Sequence, residues 1–383
     1  MSAEGIDSDY RSTVMTRMLL SPGRYVQGAG AIREIGTHAH RIGACALVIG
    51  GKTALSLCGA DIQASCAEKG LPCHLEGFQG VSSQPEIRRL SGIAAANRAD
   101  IIIAVGGGAA IDAGKAVAHE LRVPVIVVPT VISTDAPCSA LSVVYTEAGV
   151  FERYLFLRKN PDCVLVDTTL VARSPSRFLV AGMGDALATF WESDTCFRSG
   201  KPNPLTGGAH PTLATRALAR LCYETLLESG LQAMLAVDRN AVTPADEAIV
   251  EANTLLSGLS SENGGHAGAH SIHNGLTTVE SANTRLHGEK VAFGVLAQLV
   301  LEGRPQRDIS EVQDFCFSVG LPLCLEDLGI IDPPDGDIRR ISEATVAEGE
   351  TIHSTWFSVS AEMVEAAIRT ADALGIRYKK AAR

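Results

Sequence analysis

Four of the ten histidines fall within one short stretch of the chain, at His266, His270, His273 and His287. The first three are separated by four and three residues, so a helix through them would place their imidazoles on one face. Clustered imidazoles are typical of a metal site, which a carboxylate usually completes. One histidine alone is more often structural, but four so close together favour a metal site.

Asp185 is the candidate carboxylate for such a site. It stands in the otherwise apolar stretch AGMGDALA, at positions 181–188, where we expect a helix to open. An aspartate at the start of a helix can equally serve as an N-cap. The local sequence therefore leaves a metal-binding role and a capping role open.

The elements that must position these residues differ between the two parts of the chain. Short apolar runs that end in glycine or proline occur at 46–51, 99–108, 123–130 and 162–167, with helical stretches between several of them. This alternation predicts a parallel sheet covered on both faces. After about residue 175, apolar residues recur at helical spacing and few β-rich runs remain.

The predicted fold class is therefore an α/β N-terminal domain, with a parallel sheet and a nucleotide-binding site, followed by an all-α C-terminal domain. We place the α/β dinucleotide-binding domain at residues 15–175 and the helical metal- and substrate-binding domain at 176–383. Residues 1–14 are polar and are predicted to form a mobile tail.

Three consecutive glycines, Gly106, Gly107 and Gly108, end one of the predicted strands and open an Ala-rich helix. Glycines let a ligand approach the backbone, and a helix N-terminus offers free N–H groups to a pyrophosphate. Glycine turns also simply end strands, but this position favours a cofactor site. Asp112, placed in the first turn of the helix, could contact the cofactor or compensate the helix dipole. Lys115 is expected to be a solvated helix residue.

The segment PTVISTDAPCSA, at 129–140, follows the next predicted strand. Loops after parallel strands often carry functional residues. Ser, Thr and Asp are also ordinary turn formers, and from these residues alone turn formation is the better interpretation.

Composition narrows the class of protein. A formal net charge of -10 argues against a nucleic-acid partner or an acidic lipid surface. The ten cysteines include no CxxC pair and indicate reduced thiols in a cytoplasmic protein. The N-terminus lacks the apolar region of a signal peptide, and no apolar run reaches the roughly 18 to 20 residues of a membrane span.

Five separated motifs occur in order along the chain: STDAPCSALSVVYT, NPDCVLVDT, GMGDALAT, GGHAGAHSIHNGLT and HGEKVAFG. Together they resemble the zinc-dependent glycerol dehydrogenases, of the iron-containing alcohol dehydrogenase and dehydroquinate synthase-like fold. The resemblance runs from about Met15 to about residue 353. It implies oxidation of glycerol to dihydroxyacetone with zinc and NAD, in a homo-oligomer that is commonly an octamer.

The resemblance also implies roles for single residues. The zinc ligands fall on Asp185, His270 and His287, and the substrate-contacting aspartate falls on Asp135. His273 would lie near the metal without binding it, on one of the routes by which the proton could leave. The cofactor contacts fall on Gly108, Ala109, Asp112, Thr130, Ser133, Ser139, Leu141 and Tyr145.

Several positions depart from relatives. Iron-dependent members place a further ligand histidine where this chain has Thr189, which favours zinc with three protein ligands. NAD-using members carry an aspartate where this chain has Gly51, followed by Lys52. Loss of that acid removes repulsion toward a 2′-phosphate, so we expect NAD to be preferred and NADP to be tolerated. His266 stands at a usually apolar position and is expected to be structural or to support a ligand; residues 354–360 also depart.

Three alternatives remain open from the sequence. One is an NADP-dependent reductase of another small hydroxy-carbonyl compound. Another is a dehydroquinate synthase-like carbocycle lyase, which would use NAD without accumulating NADH. A non-enzymatic cofactor-binding module would not need three metal ligands together.

Overall fold

The computed structural model describes residues 15–331 and 335–382, without the side chain of Asp335. The tail predicted at residues 1–14 lies outside the described residues.

A six-stranded, fully parallel sheet forms the first part of the chain. Its strands are β1 (Tyr25–Gly28), β2 (Ala46–Gly50), β3 (Cys73–Gly77), β4 (Ile101–Gly106), β5 (Val125–Pro129) and β8 (Cys163–Asp167). They lie in the order β1-β8-β5-β4-β2-β3. The four predicted runs form β2, β4, β5 and β8, all fully buried. A separate antiparallel hairpin consists of β6 (Leu141–Tyr145) and β7 (Phe151–Phe156).

Both faces of the sheet are covered, as the continuous apolar strands predicted. Successive residues of β4 alternate between two hydrophobic clusters: Ile102 and Ala104 belong to one, and Ile103 and Val105 to the other. The covering helices are α1 (Ile35–His40), α2 (Lys52–Glu68), α3 (Gln84–Ala96), α4 (Gly108–Leu121) and α5 (Thr168–Ala172), with a 3-10 turn at Ala31–Glu34.

The second part is helical, which confirms the predicted fold class. Its helices are α6 (Ser176–Ser199), α7 (Leu213–Val237), α8 (Pro244–Glu251), α9 (Ser257–Gly264), α10 (Gly268–Leu276), α11 (His287–Leu301), α12 (Gln306–Val319), α13 (Asp335–Thr345) and α14 (Ala361–Ala381). A π-helical segment at Ala252–Leu256 joins α8 to α9, and 3-10 turns lie at Pro204–Thr206, Glu280–Thr284, Leu325–Leu328 and Thr351–Ser354.

One hydrophobic cluster contains residues from both parts, for example Leu47 of the sheet and Ile368 of α14. The division at residue 175 therefore stays a prediction. Among the described helices, none is both long and apolar enough to cross a membrane.

The crossing of α6 and α11 fixes the geometry of the candidate site. A Cβ atom on Gly288 would lie 1.7 Å from the carbonyl oxygen of Ala181, and one on Gly184 would lie 2.3 Å from the carbonyl oxygen of Gly288. Only glycine fits at so close an approach. The crossing brings the middle of α6 to the first turn of α11.

Candidate metal centre

Three ligand atoms converge at this crossing. The Oδ1 atom of Asp185 lies 3.1 Å from Nε2 of His287 and 3.3 Å from Nε2 of His270. A tetrahedral ion with bonds of about 2.0–2.2 Å holds neighbouring ligand atoms about 3.3 Å apart. The donor set is therefore spaced to bind one metal ion, and it combines the imidazole and carboxylate ligands that zinc and similar metals use.

Each donor comes from a different helix. Asp185 is the tenth residue of α6, so the expectation that it opens a helix was wrong. The apolar residues that precede it, at 179–184, are instead buried residues inside this long helix. His270 lies in the first turn of α10, and His287 is the first residue of α11.

The expectation that His266 shares a helix with His270 and His273 was also wrong. Gly265 ends α9 with a φ of 88°, and α10 begins only at Gly268, so His266 lies between two helices. Its ring nevertheless stacks on the ring of His270, with centroids 3.9 Å apart and planes at 4°. Burial and the neighbouring His270 lower the pKa of His266 to about 4, so it packs there as a neutral ring.

The charges around the donors suit a cation. Asp185 is 2% exposed. Burial by itself raises the pKa of this carboxyl group, but His287 and His270 bring that pKa well below its usual value. Asp185 therefore stays ionised inside the protein, where a negative oxygen needs a positive partner.

Glu192 contacts a candidate ligand, and sequence reasoning missed it. It is fully buried, and its Oε2 lies 2.6 Å from Nδ1 of His270. Its Oε1 accepts the backbone N–H groups of Ala267 and His270, each at 2.9 Å, at the start of α10. Glu192 follows Asp185 by seven residues, which is about two turns and the same helix face. That spacing was the available signal.

His273 stands behind His287 rather than among the donors. Its Nε2 lies 3.0 Å from Nδ1 of His287, and its Nδ1 lies 3.1 Å from Oδ1 of Asn274. Both ring nitrogens are thus engaged by protein groups.

Asp135 is joined to the donor set through the loop that carries it. Its backbone N–H donates to Oδ2 of Asp185 at 3.2 Å, and its own carboxylate accepts the hydroxyl of Ser257 at 3.0 Å. The hydroxyl of Thr189 lies 2.9 Å from that of Ser257. Through Ser257, Thr189 therefore belongs to the hydrogen bonds that orient Asp135. Burial and the neighbouring Asp185 raise the pKa of Asp135 to about 6.

Lys115 was expected to be solvated, and that expectation was wrong. It is 1% exposed, and its ammonium donates to the carbonyl oxygens of Ala136 at 2.9 Å, Ser139 at 3.4 Å and Leu141. The carboxylate of Asp112 lies 3.4 Å away. A helix residue looks solvated in sequence when its partners are carbonyl groups more than twenty positions away. Here the lysine ties the 129–140 loop to α4.

A second buried side chain fixes the same loop from the helical part. Glu262, on α9, accepts the backbone N–H of Ala140 at 2.8 Å and an amide hydrogen of Asn160. The Asn160 amide also donates to the carbonyl oxygen of Cys138 at 2.9 Å. No periodicity or motif in the sequence pointed to Glu262. The loop is therefore anchored from both sides, which is more than turn formation requires.

The residues predicted to contact a cofactor gather near the carboxyl ends of two central strands, β4 and β5. β4 and β5 are neighbours in the sheet, and the backbone N–H of Thr130 donates to the carbonyl oxygen of Gly106 at 3.0 Å. Gly106 has a φ of 142°, a backbone conformation that favours glycine. A Cβ atom on Gly107 would lie 3.3 Å from the side chain of Val131. The glycine loop and the 129–140 loop therefore touch.

The other predicted cofactor residues follow on these two loops and the adjoining elements. Gly108, Ala109 and Asp112 lie in α4, Ser133 and Ser139 lie in the loop, and Leu141 and Tyr145 bound β6. Asp112 is the fifth residue of α4 rather than part of its first turn, and it pairs with Lys115. Its compensating role is therefore toward a buried cation more than toward the helix dipole.

Comparison with known proteins identifies the family. The profile described as iron-containing alcohol dehydrogenase matches residues 22–168. A glycerol dehydrogenase of Citrobacter freundii is 46% identical over 364 residues, which cover 95% of this chain and 99% of that protein. This chain belongs to the iron-containing alcohol dehydrogenase family. The resemblance found in the sequence motifs is thereby confirmed.

Two further relatives place the chain within the iron-containing alcohol dehydrogenase family. A glycolaldehyde reductase of Halobacterium salinarum is 45% identical over 365 residues, which cover 95% of this chain and 100% of that protein. The crystal structure of a glycerol dehydrogenase from Schizosaccharomyces pombe superposes with a TM-score of 0.92 at 36% identity, covering 96% of this chain and 93% of that one. Oxidoreductase chemistry and the predicted fold are both supported over nearly the full chain.

Gly51 is the departure from the NAD-using members of the iron-containing alcohol dehydrogenase family noted in the sequence. It is the N-cap of α2, at the carboxyl end of β2 and next to β4 in the sheet. A Cβ atom built on Gly51 meets nothing within 4 Å. Glycine is therefore not required there by packing, and a side chain would fit.

The 354–360 segment, the other departure from the iron-containing alcohol dehydrogenase family, packs on the helical part. The ring of Trp356 lies 5.5 Å from the guanidinium of Arg198 and 5.8 Å from that of Arg304. Just before it, the backbone N–H of Ile352 donates to the hydroxyl of Ser271 at 2.7 Å. This part of the chain supports α6 and α10 from outside the donor set.

Proposed function

We propose that this protein oxidises glycerol to dihydroxyacetone with NAD and a zinc ion bound by Asp185, His270 and His287. The observation that carries the proposal is the placement of these three donors beside Asp135, on a loop that touches the glycine loop. The glycerol dehydrogenase of Citrobacter freundii, 46% identical over 95% of the chain, supports the choice of substrate.

Each part of the site has a defined task in this proposal. When bound, zinc supplies a Lewis acid that lowers the pKa of an alcohol hydroxyl, and the nicotinamide supplies a hydride acceptor. Asp135, oriented by Ser257, accepts a hydrogen bond from a second hydroxyl of the polyol. The glycine loop and the N-terminus of α4 hold the pyrophosphate, and the residues at the loop and β6 line the rest of the cofactor.

Zinc is favoured over iron by the ligand count. The position of the extra ligand in iron-dependent relatives is Thr189, whose hydroxyl is hydrogen-bonded to Ser257. Three protein ligands leave one position of a tetrahedral ion open for substrate, which is the arrangement of catalytic zinc. NAD remains the first cofactor, and the open space at Gly51 beside Lys52 supports tolerance of NADP.

His273, predicted as one route for the proton, has both nitrogens engaged by His287 and Asn274. We therefore assign it to the support of His287, and the proton is left to bound water.

The cytoplasm is the proposed compartment, because all ten cysteines, each within the described part of the chain, are free thiols. The homo-oligomer, commonly an octamer in relatives, stays a prediction.

The proposal is tested with a panel of polyols against NAD and NADP, before and after treatment with a chelator. Glycerol and other vicinal diols should reduce NAD, chelation should abolish the reaction, and zinc should restore it better than iron does. Absence of NADH formation from every polyol, with the metal bound, would overturn the proposal. A rate with NADP close to zero would reject only the NADP hypothesis.

A second function, reduction of a small hydroxy-aldehyde, is favoured by the glycolaldehyde reductase of Halobacterium salinarum at 45% identity. The same panel run in reverse, with glycolaldehyde and dihydroxyacetone as substrates, separates the two. A higher kcat/KM for glycolaldehyde than for both glycerol and dihydroxyacetone would support the reductase. A carbocycle lyase would give no net change in NADH with any of these compounds.

A further inference from the structure

A chain of hydrogen bonds leads from His287, one of the three proposed metal ligands, to Glu350, which is not one of them. Nδ1 of His287 lies 3.0 Å from Nε2 of His273, and Nδ1 of His273 lies 3.1 Å from Oδ1 of Asn274. The Asn274 amide nitrogen donates to both carboxylate oxygens of Glu350, at 3.0 and 3.2 Å. Four side chains are thus linked in one line.

The chemistry of these groups gives the line a direction. An ionised carboxylate only accepts hydrogen bonds, so Glu350 requires the nitrogen of the Asn274 amide to face it. The amide oxygen then faces His273, and Nδ1 of that imidazole must carry the hydrogen that the oxygen accepts. A neutral imidazole has one N–H, so Nε2 of His273 is left as an acceptor.

The same logic reaches the metal ligand. Because Nε2 of His273 accepts, Nδ1 of His287 must donate its hydrogen to it. The lone pair of His287 is then on Nε2, the nitrogen that faces Asp185 at 3.1 Å. Which nitrogen of an imidazole binds a metal is set by the hydrogen bond that the other nitrogen makes.

We infer that Asn274 and Glu350, acting through His273, are positioning residues that hold His287 in the tautomer able to bind the metal. The inference rests on the proposed function only in taking Asp185, His270 and His287 as the metal ligands. Asn274, Glu350 and His273 reach the metal ligands through the hydrogen bond from His273 to His287. Their effect is therefore on metal affinity and metal retention.

The fold holds Glu350 at the far end of this line. The hydroxyl of Thr351, the next residue, donates to the carbonyl oxygen of Ala267 at 2.9 Å, and the backbone N–H of Ile352 donates to Ser271 at 2.7 Å. Both partners lie at or in α10, the helix that also carries His273 and Asn274. Glu350 is thus fixed relative to the amide that it orients.

The other ligand imidazole is held in the same tautomer by a shorter route. The buried carboxylate of Glu192 accepts directly from Nδ1 of His270 at 2.6 Å, which leaves Nε2 of His270 for the metal. Carboxylates thus end both supports, one directly and one through an imidazole and an amide. Because both hydrogen-bonded supports end in a carboxylate, we assign the same role, orientation of a metal ligand, to the longer line that ends at Glu350.

The test compares metal affinity among variants of Asn274 and Glu350. Asn274→Leu is close in size to the native residue but removes the acceptor for His273, and it should weaken zinc binding about 10–100-fold. The double variant Asn274→Asp with Glu350→Gln reverses the polarity of the outer pair, because the introduced carboxylate accepts from both His273 and the introduced amide. It should bind zinc within about threefold of the native protein, since every link of the line is kept.

Zinc affinity and release are measured by competition with a chromogenic chelator, and the unfolding of the metal-free protein is followed separately. The inference is overturned if Asn274→Leu binds and releases zinc as the native protein does, or if the double variant is as weak as Asn274→Leu. If Asn274→Leu fails to fold, Glu350→Ala takes its place, with an expected loss of zinc affinity of about tenfold, and native zinc affinity in that variant also overturns the inference.

These measurements are independent of polyol oxidation. A native protein that binds zinc but does not oxidise glycerol would remove the proposed function and leave the inference standing. Glycerol oxidation by the native protein, with unchanged zinc affinity in Asn274→Leu or in Glu350→Ala, would remove the inference and leave the function.

Discussion

The helical side of the site and the sheet side position their groups by different means. On the helical side, side chains offer the chemistry, and other side chains that end in carboxylates hold them: Glu192 behind His270, and Glu350 at the end of the line behind His287. On the sheet side, the groups proposed to bind the cofactor are largely backbone N–H groups, and one buried cation, Lys115, holds the loop by its carbonyl groups.

This difference means that the two sides should fail separately. Loss of a support among the helices should reduce metal affinity and leave cofactor binding intact. Loss of a support under the sheet loop should do the reverse. The loop touches the donor set at the hydrogen bond from the Asp135 backbone to Asp185, so that single contact is where the separation is most easily broken.

The largest expected effect is that of His270→Ala. It removes one of three metal ligands, so stoichiometric zinc and turnover should both be lost, while NAD binding measured by fluorescence titration should persist. His40→Ala, at an exposed histidine of α1, is the matched control and should retain both. Full activity in His270→Ala would remove the ligand assignment.

Lys115→Met should have the next largest effect. It leaves the Asp112 carboxylate and three carbonyl groups buried without their cation, and breaking a buried pair in this way costs about 3–5 kcal/mol of unfolding free energy. Denaturant unfolding measures that loss, and cofactor affinity should fall with it. Lys69→Met, at an exposed lysine after α2, should change stability by less than about 0.5 kcal/mol.

The decisive comparison for Lys115→Met is its zinc affinity, determined on the folded protein. Unchanged affinity supports two independently held sides. A loss as large as the loss in cofactor affinity would show that the loop and the metal ligands form one unit.

Glu192→Gln should have the smallest effect of the three. The amide keeps the shape of the carboxylate but loses its charge, so the hydrogen bonds to His270 and to the start of α10 weaken. Zinc affinity should fall about 10–100-fold, measured by chelator competition, with NAD affinity unchanged. Native zinc affinity together with reduced stability would make Glu192 a support of helix α10 alone.

The strands that the sequence predicted correctly are those that are buried along their whole length. β2, β4, β5 and β8 are buried on both faces and read as continuous apolar runs. The strands β1 and β3 lie at the two edges of the sheet, where half-exposed positions mix polar with apolar residues, and they were not predicted.

In the site, residue types and spacing pointed to a histidine cluster and to Asp185, and the family resemblance was needed to single out His270 and His287. Their supports were harder to find, because Glu350 lies 76 positions from Asn274 and Lys115 lies 21 positions from Ala136. Such contacts depend on the path of the chain between them, which local patterns do not contain. Glu192 was missed as well, although its helix spacing from Asp185 was visible in the sequence.

The close approach of α6 and α11 has a consequence for how the metal is acquired. Because Gly184 and Gly288 bring the two backbones into direct contact, the separation of Asp185 from His287 is set when the core packs rather than when an ion arrives. The conformational entropy of assembling these two proposed ligands is therefore lost during folding. If the proposed site binds the metal, its capture by the folded protein resembles filling a rigid chelate, and the choice among metals falls on ligand chemistry.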